Sequence, residues 1–212
     1  MKRPGASEPE LSGLRLLAVN GNMSANSELM DTARRFHAIC SARGVTYCVI
    51  GGAAVIHSGY RRTTGDIDIL TRKSEWLKLL PLEGEISSKG MDQCVDSRTG
   101  LTIDILFAEE DWEMPAPMPD PAEVGEYDKD YGANFIGLHS LVQLKTAVYL
   151  SKLGEFGEDV ASKDRSDVYE LISRNLSEFT RERIKGYHPA LRKHCLKAYE
   201  SAVRAERKRP SQ

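Results

Sequence analysis

The sequence predicts a mixed α/β fold with a helical C-terminal part. Three short runs of branched and aliphatic residues read as strands, at 45–50, 66–70 and 100–107. Stretches with helical spacing flank these strands and fill the last third of the chain. The 212 residues suffice for one core with a helical annex. We therefore expect a flexible segment over 1–25, a core over 26–135 and a helical region with a basic tail over 136–212.

The first predicted elements are a helix over 27–41, a buried strand over 45–50 and a second helix from Ala53. The glycine pair Gly51-Gly52 joins this strand to the second helix, and Gly59 is a typical C-terminal stop. A strand, a glycine turn and a helix N-terminus together suit an anion, because backbone N–H groups point outward there. The alternative is a simple tight turn.

The second strand carries Asp66 and Asp68, which alternation places on one face. Two neighbouring carboxylates repel each other, and a shared cation allows both to stay ionised. Hard oxygen ligands with open positions suit magnesium. The alternative is a surface strand with two solvated aspartates. Asp104, in the middle of the third strand, supplies a third carboxylate, although an edge position would also explain it.

Two segments carry a resemblance to a known family, Gly51-Gly52-Ala53-Ala54 and Gly59-Tyr60-Arg61-Arg62-Thr63-Thr64-Gly65-Asp66-Ile67-Asp68. Together they resemble the signature of the nucleotidyltransferase superfamily with the DNA polymerase β-like palm. The second segment is similar to that of the AbiEii-type bacterial group, which includes toxin components of toxin–antitoxin and abortive-infection systems. The resemblance implies a mixed-sheet palm and a cytoplasmic enzyme.

The resemblance also implies a nucleoside triphosphate substrate and two Mg²⁺ ions, with Mn²⁺ as an alternative. It assigns the metal to Asp66, Asp68 and Asp104. It assigns the phosphates, or support of the turn around them, to Gly51, Gly52, Arg62 and Thr64.

A second block, from Ser140 to Val148, reads as a helix with Ser140 as its N-cap. It resembles the family's Lys-x-x-Ala helix, and the resemblance directs Lys145 to the triphosphate. The alternative is a lysine whose head extends to water. Downstream, the segment from Lys163 opens a further predicted helix and resembles a basic-Asp-x-x-Asp element. Of its two acids, the resemblance favours Asp164 as a catalytic residue over Asp167, and both also suit a first helical turn.

The resemblance suggests an RNA end, such as that of tRNA, or a protein hydroxyl as acceptor, and an antitoxin as partner. Two alternatives remain: an antibiotic-type small-molecule acceptor, and a non-catalytic nucleotide-binding or interaction module with the same fold. The net charge of −2 excludes a uniformly basic nucleic-acid binder. No apolar run reaches membrane-spanning length, so we expect no membrane partner. The four cysteines show no C-x-x-C spacing, so the sequence does not indicate a zinc site.

Three further segments complete the predictions. The range 74–80 reads as a helix, and the range 109–130, with nine acidic residues and four prolines, reads as a loop or lid. The range 181–209 contains ten basic residues and three acidic ones, and Pro189 can begin a helix there. We favour a packed C-terminal helix with a solvated basic face over a surface for RNA or an acidic partner. We assign catalysis to no histidine.

Overall fold

The computed structural model describes residues 27–208, so the predicted flexible segment over 1–25 lies outside the described residues. A mixed seven-stranded sheet and a helical C-terminal part confirm the predicted mixed α/β class. The strands are β1 (Tyr47–Ile50), β2 (Asp66–Thr71), β3 (Ile86–Ser88), β4 (Gln93–Asp96), β5 (Thr102–Phe107), β6 (Gly125–Asp128) and β7 (Ala133–Ile136).

The strand order across the sheet is β3-β4-β5-β2-β1-β7-β6. The pairs β2–β5 and β1–β7 are parallel, and the other neighbours are antiparallel. The three strands predicted from sequence, β1, β2 and β5, are adjacent at the centre of the sheet. All four residues of β1 are buried, and buried residues alternate with partly exposed ones at the start of β2 and along β5, which explains why their apolar patterns are clear in the sequence.

The helices are α1 (27–42), α2 (Gly51–His57), α3 (Lys73–Trp76), α4 (Pro121–Val124), α5 (Leu138–Phe156), α6 (Glu158–Arg174), α7 (Arg181–Lys185) and α8 (Pro189–Arg207), with a 3₁₀ turn at Leu176–Glu178. None of the described helices is long and apolar enough to cross a bilayer. All four cysteines are buried as free thiols.

The first half of the chain folds largely as the sequence predicts. Helix α1 buries its stripe of Leu29, Ala33 and Phe36 against the sheet, and all four residues of β1 are buried. Helix α2 begins at Gly51 directly after the strand, and Gly59 follows its end with a φ of 95°. These elements place the glycine turn at the end of a fully buried strand.

Four predictions about secondary structure are wrong. Helix α5 begins at Leu138 with Gly137 as its N-cap, so Ser140 lies inside the first turn. The predicted helix over 74–80 is only the single turn α3. The acidic range 109–130 is not wholly a loop, because α4 and β6 lie within it and β6 pairs with β7. Strand pairing at the sheet edge therefore outweighs the low strand propensity of Gly and Asp.

The fourth error concerns the element that carries Asp164. Helix α6 begins at Glu158, immediately after Gly157, which has a φ of 82°. Asp164 and Asp167 therefore lie in the middle of α6, and the favourable helix dipole at a first turn does not account for them. Both side chains are buried, so their charges require partners.

The C-terminal helix α8 begins at Pro189 as predicted and packs through a stripe that includes Leu191, Cys195 and Ala202. It lies against α5 and α6. The three long helices α5, α6 and α8 form a layer. Helix α5 packs on α2, and α2 packs on the sheet.

Candidate functional site

Three carboxylates share one face of two neighbouring central strands. In the parallel pairing of β2 with β5, Asp68 lies directly opposite Asp104, and Asp66 precedes Asp68 by two residues on the same face. All three are partly exposed, whereas Ile67 and Ile103 between them are fully buried. Neighbouring strands lie about 4.8 Å apart. The fold therefore brings the predicted Asp66, Asp68 and Asp104 together.

The Asp68 carboxylate lies against the first glycine of the turn. A Cβ added at Gly51 would overlap the Oδ2 atom of Asp68, and Gly51 also has a φ of 60°. Burial, followed by the Asp66 charge, raises the pKa of the Asp68 carboxyl, against the opposing effects of Lys145 and of the backbone N–H of Gly52. Asp68 is thus a desolvated carboxylate whose charge calls for compensation.

The second glycine makes room for the two other motif side chains. A Cβ at Gly52 would overlap Nη2 of Arg62 and Oγ1 of Thr64. Thr64 donates a hydrogen bond of 2.7 Å to Oδ1 of Asp66. The space beside both glycines is therefore filled by side chains of the same motif. The fold thus brings Gly51, Gly52, Arg62 and Thr64 close together. Their contact with phosphate remains a prediction.

A buried ion network links this motif to the C-terminal helices. Nη1 of Arg62 donates to both oxygens of Asp167 at 3.1 and 3.0 Å. Nζ of Lys145 lies 3.1 Å from Asp164 and 3.0 Å from Asp167. Nζ of Lys152 lies 2.7 Å from Asp164. The network joins the loop before β2 with α5 and α6.

Burial of this network overturns the alternative for Lys145. The residue is only 8% exposed, so its ammonium does not extend to water. Burial raises the pKa of the Asp164 carboxyl, but the charges and hydrogen bonds of Lys145 and Lys152 outweigh burial and hold the pKa below its ordinary value. Lys145 also acts on Asp68, whose pKa it lowers. The ammonium is therefore held by the acids of α6 and also acts electrostatically on Asp68.

The network also shows a role that sequence reasoning missed. The resemblance favoured Asp164, yet Asp167 is the residue that contacts both Arg62 and Lys145. The spacing of three residues, which places both acids on one helix face, was the available signal. The same spacing also suits a first helical turn, and only the observed start of α6 at Glu158 distinguishes the two positions.

Gln93 is a second residue that the sequence did not indicate. It lies opposite Asp104 in the β4–β5 pairing, and its Nε2 donates a hydrogen bond of 2.9 Å to Oδ1 of Asp104. The side chain is exposed at the outer side of the carboxylate cluster. No motif marks it, because its strand β4 has only four residues and no longer alternating pattern.

The donor chemistry fits magnesium, since three carboxylates on one face supply hard oxygen ligands. Within residues 27–208, however, no three acidic, histidine or cysteine side chains already converge closely enough to hold an ion. Asp66 and Asp104 instead accept hydrogen bonds from Thr64 and Gln93.

Comparison of the full sequence with protein-family models gives no match. Comparison with curated proteins gives no significant match either.

Proposed function

We propose that the chain is a metal-dependent nucleotidyltransferase that moves a nucleoside monophosphate from a nucleoside triphosphate to a hydroxyl acceptor. The observation that carries this proposal is the set Asp66, Asp68 and Asp104 on one face, beside a buried guanidinium and ammonium. Acidic groups for a cation next to basic groups for an anion suit a metal-bound triphosphate.

Arg62 supports the binding of the triphosphate. Its Nη1 is held by Asp167, and its Nη2 lies beside Gly52. Its buried Nε has no hydrogen-bond partner among the described residues. A buried donor without a partner is unfavourable, and a phosphate oxygen would satisfy it. Lys145 pairs with the same Asp167 and supplies a second positive charge beside Arg62.

In the proposed reaction, the acceptor oxygen forms a bond to the α-phosphorus and the bond between the α-phosphorus and its bridging oxygen breaks. Pyrophosphate leaves. Asp104 accepts the proton of the acceptor hydroxyl, and Gln93 orients this carboxylate by its hydrogen bond. Arg62 and Lys145 stabilise the charge on the leaving pyrophosphate. Magnesium, held by Asp66, Asp68 and Asp104, would supply charge neutralisation and acidify the acceptor hydroxyl.

The acceptor in this proposal is an RNA end or a protein hydroxyl, and an antitoxin partner and a cytoplasmic location belong to the same proposal. These follow from the resemblance of the segment ending at Asp68 to the AbiEii-type group. A small-molecule acceptor would use the same chemistry.

The test is transfer of label from each of four α-labelled triphosphates, with magnesium, into total RNA or lysate protein. We expect label in one of these pools with the unmodified chain and none with the double variant Asp66→Ala/Asp68→Ala. The matched control is Asp111→Ala/Asp159→Ala, which removes two exposed acids and should leave transfer unchanged.

Two outcomes would contradict the proposal. Label transfer by the Asp66→Ala/Asp68→Ala variant would exclude the metal assignment. No transfer from any triphosphate, with undiminished triphosphate binding, would favour the non-catalytic module.

A further inference from the structure

A groove between α6 and α8 lies outside the carboxylate site. Its first cavity has a volume of about 440 Å³, with Thr146 and Tyr149 of α5 and Tyr60 among its lining residues. A second cavity of about 780 Å³ shares Tyr169 and Glu170 with the first. The groove therefore continues along α6 towards its C-terminus. Single ligand sites commonly span 300–1,000 Å³, so the first cavity can hold one small molecule or one unit of a chain.

Aromatic rings are concentrated in this groove. Tyr60, Tyr149, Tyr169 and His194 all line the first cavity. The rings of Tyr149 and His194 lie 6.1 Å apart at an angle of 67°. The guanidinium carbon of Arg174 lies over one face of the Tyr60 ring, 5.3 Å from its centre, and this contact helps to position the ring. Rings on several sides of a cavity favour a planar ligand, because stacking needs only a flat π-face.

Positive charge accompanies the rings. Arg165 of α6 and Lys197 of α8 line the groove, and both are exposed. Burial first, and then the nearby charges of Lys193 and Lys197, lower the pKa of His194. The acid that lines the same cavity, Glu170, is already paired with Arg174 at 2.8 Å. A ligand with negative charge is therefore favoured at the α8 side of the groove.

We propose that this groove binds a nucleotide unit, with its base among the tyrosine rings and its phosphate on Arg165 and Lys197. The ligand class follows from the aromatic rings and the two cations that line the same cavity. The rings match the base of a nucleotide, and the cations match its phosphate. The site is separate from the carboxylates of β2 and β5, so the proposal does not depend on the reaction proposed above. The same chemistry has two sources: a free mononucleotide and a nucleotide within a single strand.

The groove continues past Tyr169 into the second cavity, which Glu170, Glu206 and Arg174 line, so the exposed cations that suit a phosphate are those of the first cavity. Arg165 also pairs with Glu158 at 2.6 Å, but both side chains are well exposed. Exposed ion pairs are weak, so a phosphate can replace this partner at little cost.

The test is fluorescence anisotropy with a labelled ten-nucleotide single-stranded RNA and, separately, with labelled AMP. Both are measured with chelator present, which excludes binding of the probe through a metal ion at Asp66, Asp68 and Asp104. Two variants address the groove, Arg165→Ala/Lys197→Ala and Tyr169→Ala. The matched control is Lys78→Ala/Lys185→Ala, which removes the same charge at exposed positions outside the groove.

We expect the RNA to bind and each groove variant to weaken binding at least about fivefold. Removal of Arg165 and Lys197 should also reduce the slope of log K against log salt by about 0.7, as expected for the loss of one phosphate contact on a single strand. The control variant should bind as the unmodified chain does. AMP binding with the same dependence on the variants would assign the groove to free nucleotides and support the proposal equally.

Absence of binding by both probes, or binding that the groove variants leave unchanged, would overturn it. Circular dichroism and urea unfolding of Tyr169→Ala show whether its effect reflects lost folding. Arg165→Ala/Lys197→Ala changes only exposed side chains, so its binding result decides the proposal on its own. Binding to the groove is measured without a triphosphate, and label transfer is measured separately with Asp66→Ala/Asp68→Ala, so a failure of the groove is distinguishable from a failure of the proposed reaction.

Discussion

Replacing Asp167 by asparagine should destabilise the fold through the buried ion network. The side chain of Asp167 is 1% exposed, and those of its partners Arg62 and Lys145 are each 10% exposed. Asparagine keeps the shape of aspartate but removes its charge. Arg62 would then lose its carboxylate partner, and Lys145 would keep only Asp164, which also pairs with Lys152.

The expected loss follows from this burial. Removing one partner of a buried ion pair costs about 3–5 kcal/mol, because the remaining charge stays desolvated. Asparagine can retain one hydrogen bond, so we expect the lower end, about 3 kcal/mol. With a urea dependence of about 2 kcal/mol/M, the unfolding midpoint should fall by about 1.5 M.

The assay is urea unfolding at pH 7 followed by circular dichroism, with Glu170→Gln as the control. Glu170 lies one turn away on the same helix and pairs with Arg174, but both side chains are partly exposed. An exposed helix pair of this kind contributes about 0.3–0.5 kcal/mol. Equal midpoint shifts for the two variants would refute the reasoning, because they would show that burial of the network adds nothing.

Three further predictions concern the carboxylate site. Burial and a neighbouring charge raise the pKa of Asp68, so ionisation weakens the folded state as the pH rises through the window between the ordinary and the raised value. Asp68→Asn should therefore raise the urea midpoint at pH 7, an advantage that disappears in acid where Asp68 is protonated; a lower midpoint at pH 7 contradicts this. Gly51→Ala should cost at least about 2 kcal/mol more than Gly44→Ala, since both glycines have a φ of 60° but only the first has a carboxylate in the place of the new Cβ; equal midpoints would exclude the overlap. Gln93→Ala should lower the rate of label transfer about fivefold by removing one hydrogen bond to Asp104, with an unchanged midpoint; an unchanged rate would remove Gln93 from the site.

The elements closest to the carboxylates were predictable because their signals are local. Alternation placed Asp66 and Asp68 on one face, and the apolar neighbours of Asp104 identified its strand. Gly51 and Gly52 mark the turn, and in the sequence alone their missing Cβ atoms predict room for a phosphate. The structure shows that the side chains of Asp68, Arg62 and Thr64 occupy that space, a long-range packing fact that local pattern does not contain.

The errors arise where tertiary contacts decide the structure. Strand β6 contains Gly, Glu, Tyr and Asp and forms because β7 offers an edge. Helix α6 begins earlier than predicted because Gly157, with its positive φ, allows a sharp turn after α5. This shift moves Asp167 from a helix start to a buried site, where it contacts Arg62 from a distant part of the chain. Pairing across 105 residues has no local sequence signal.

The position of the transferred phosphate tests the central claim most directly. Parallel reactions contain magnesium, an acceptor pool and the same triphosphate labelled at either the α- or the γ-phosphorus. A nucleotidyltransferase should move the α-label to the acceptor and release the γ-label as pyrophosphate, and Asp66→Ala/Asp68→Ala should do neither. Transfer of the γ-label, or transfer of the α-label by that variant, would contradict the account.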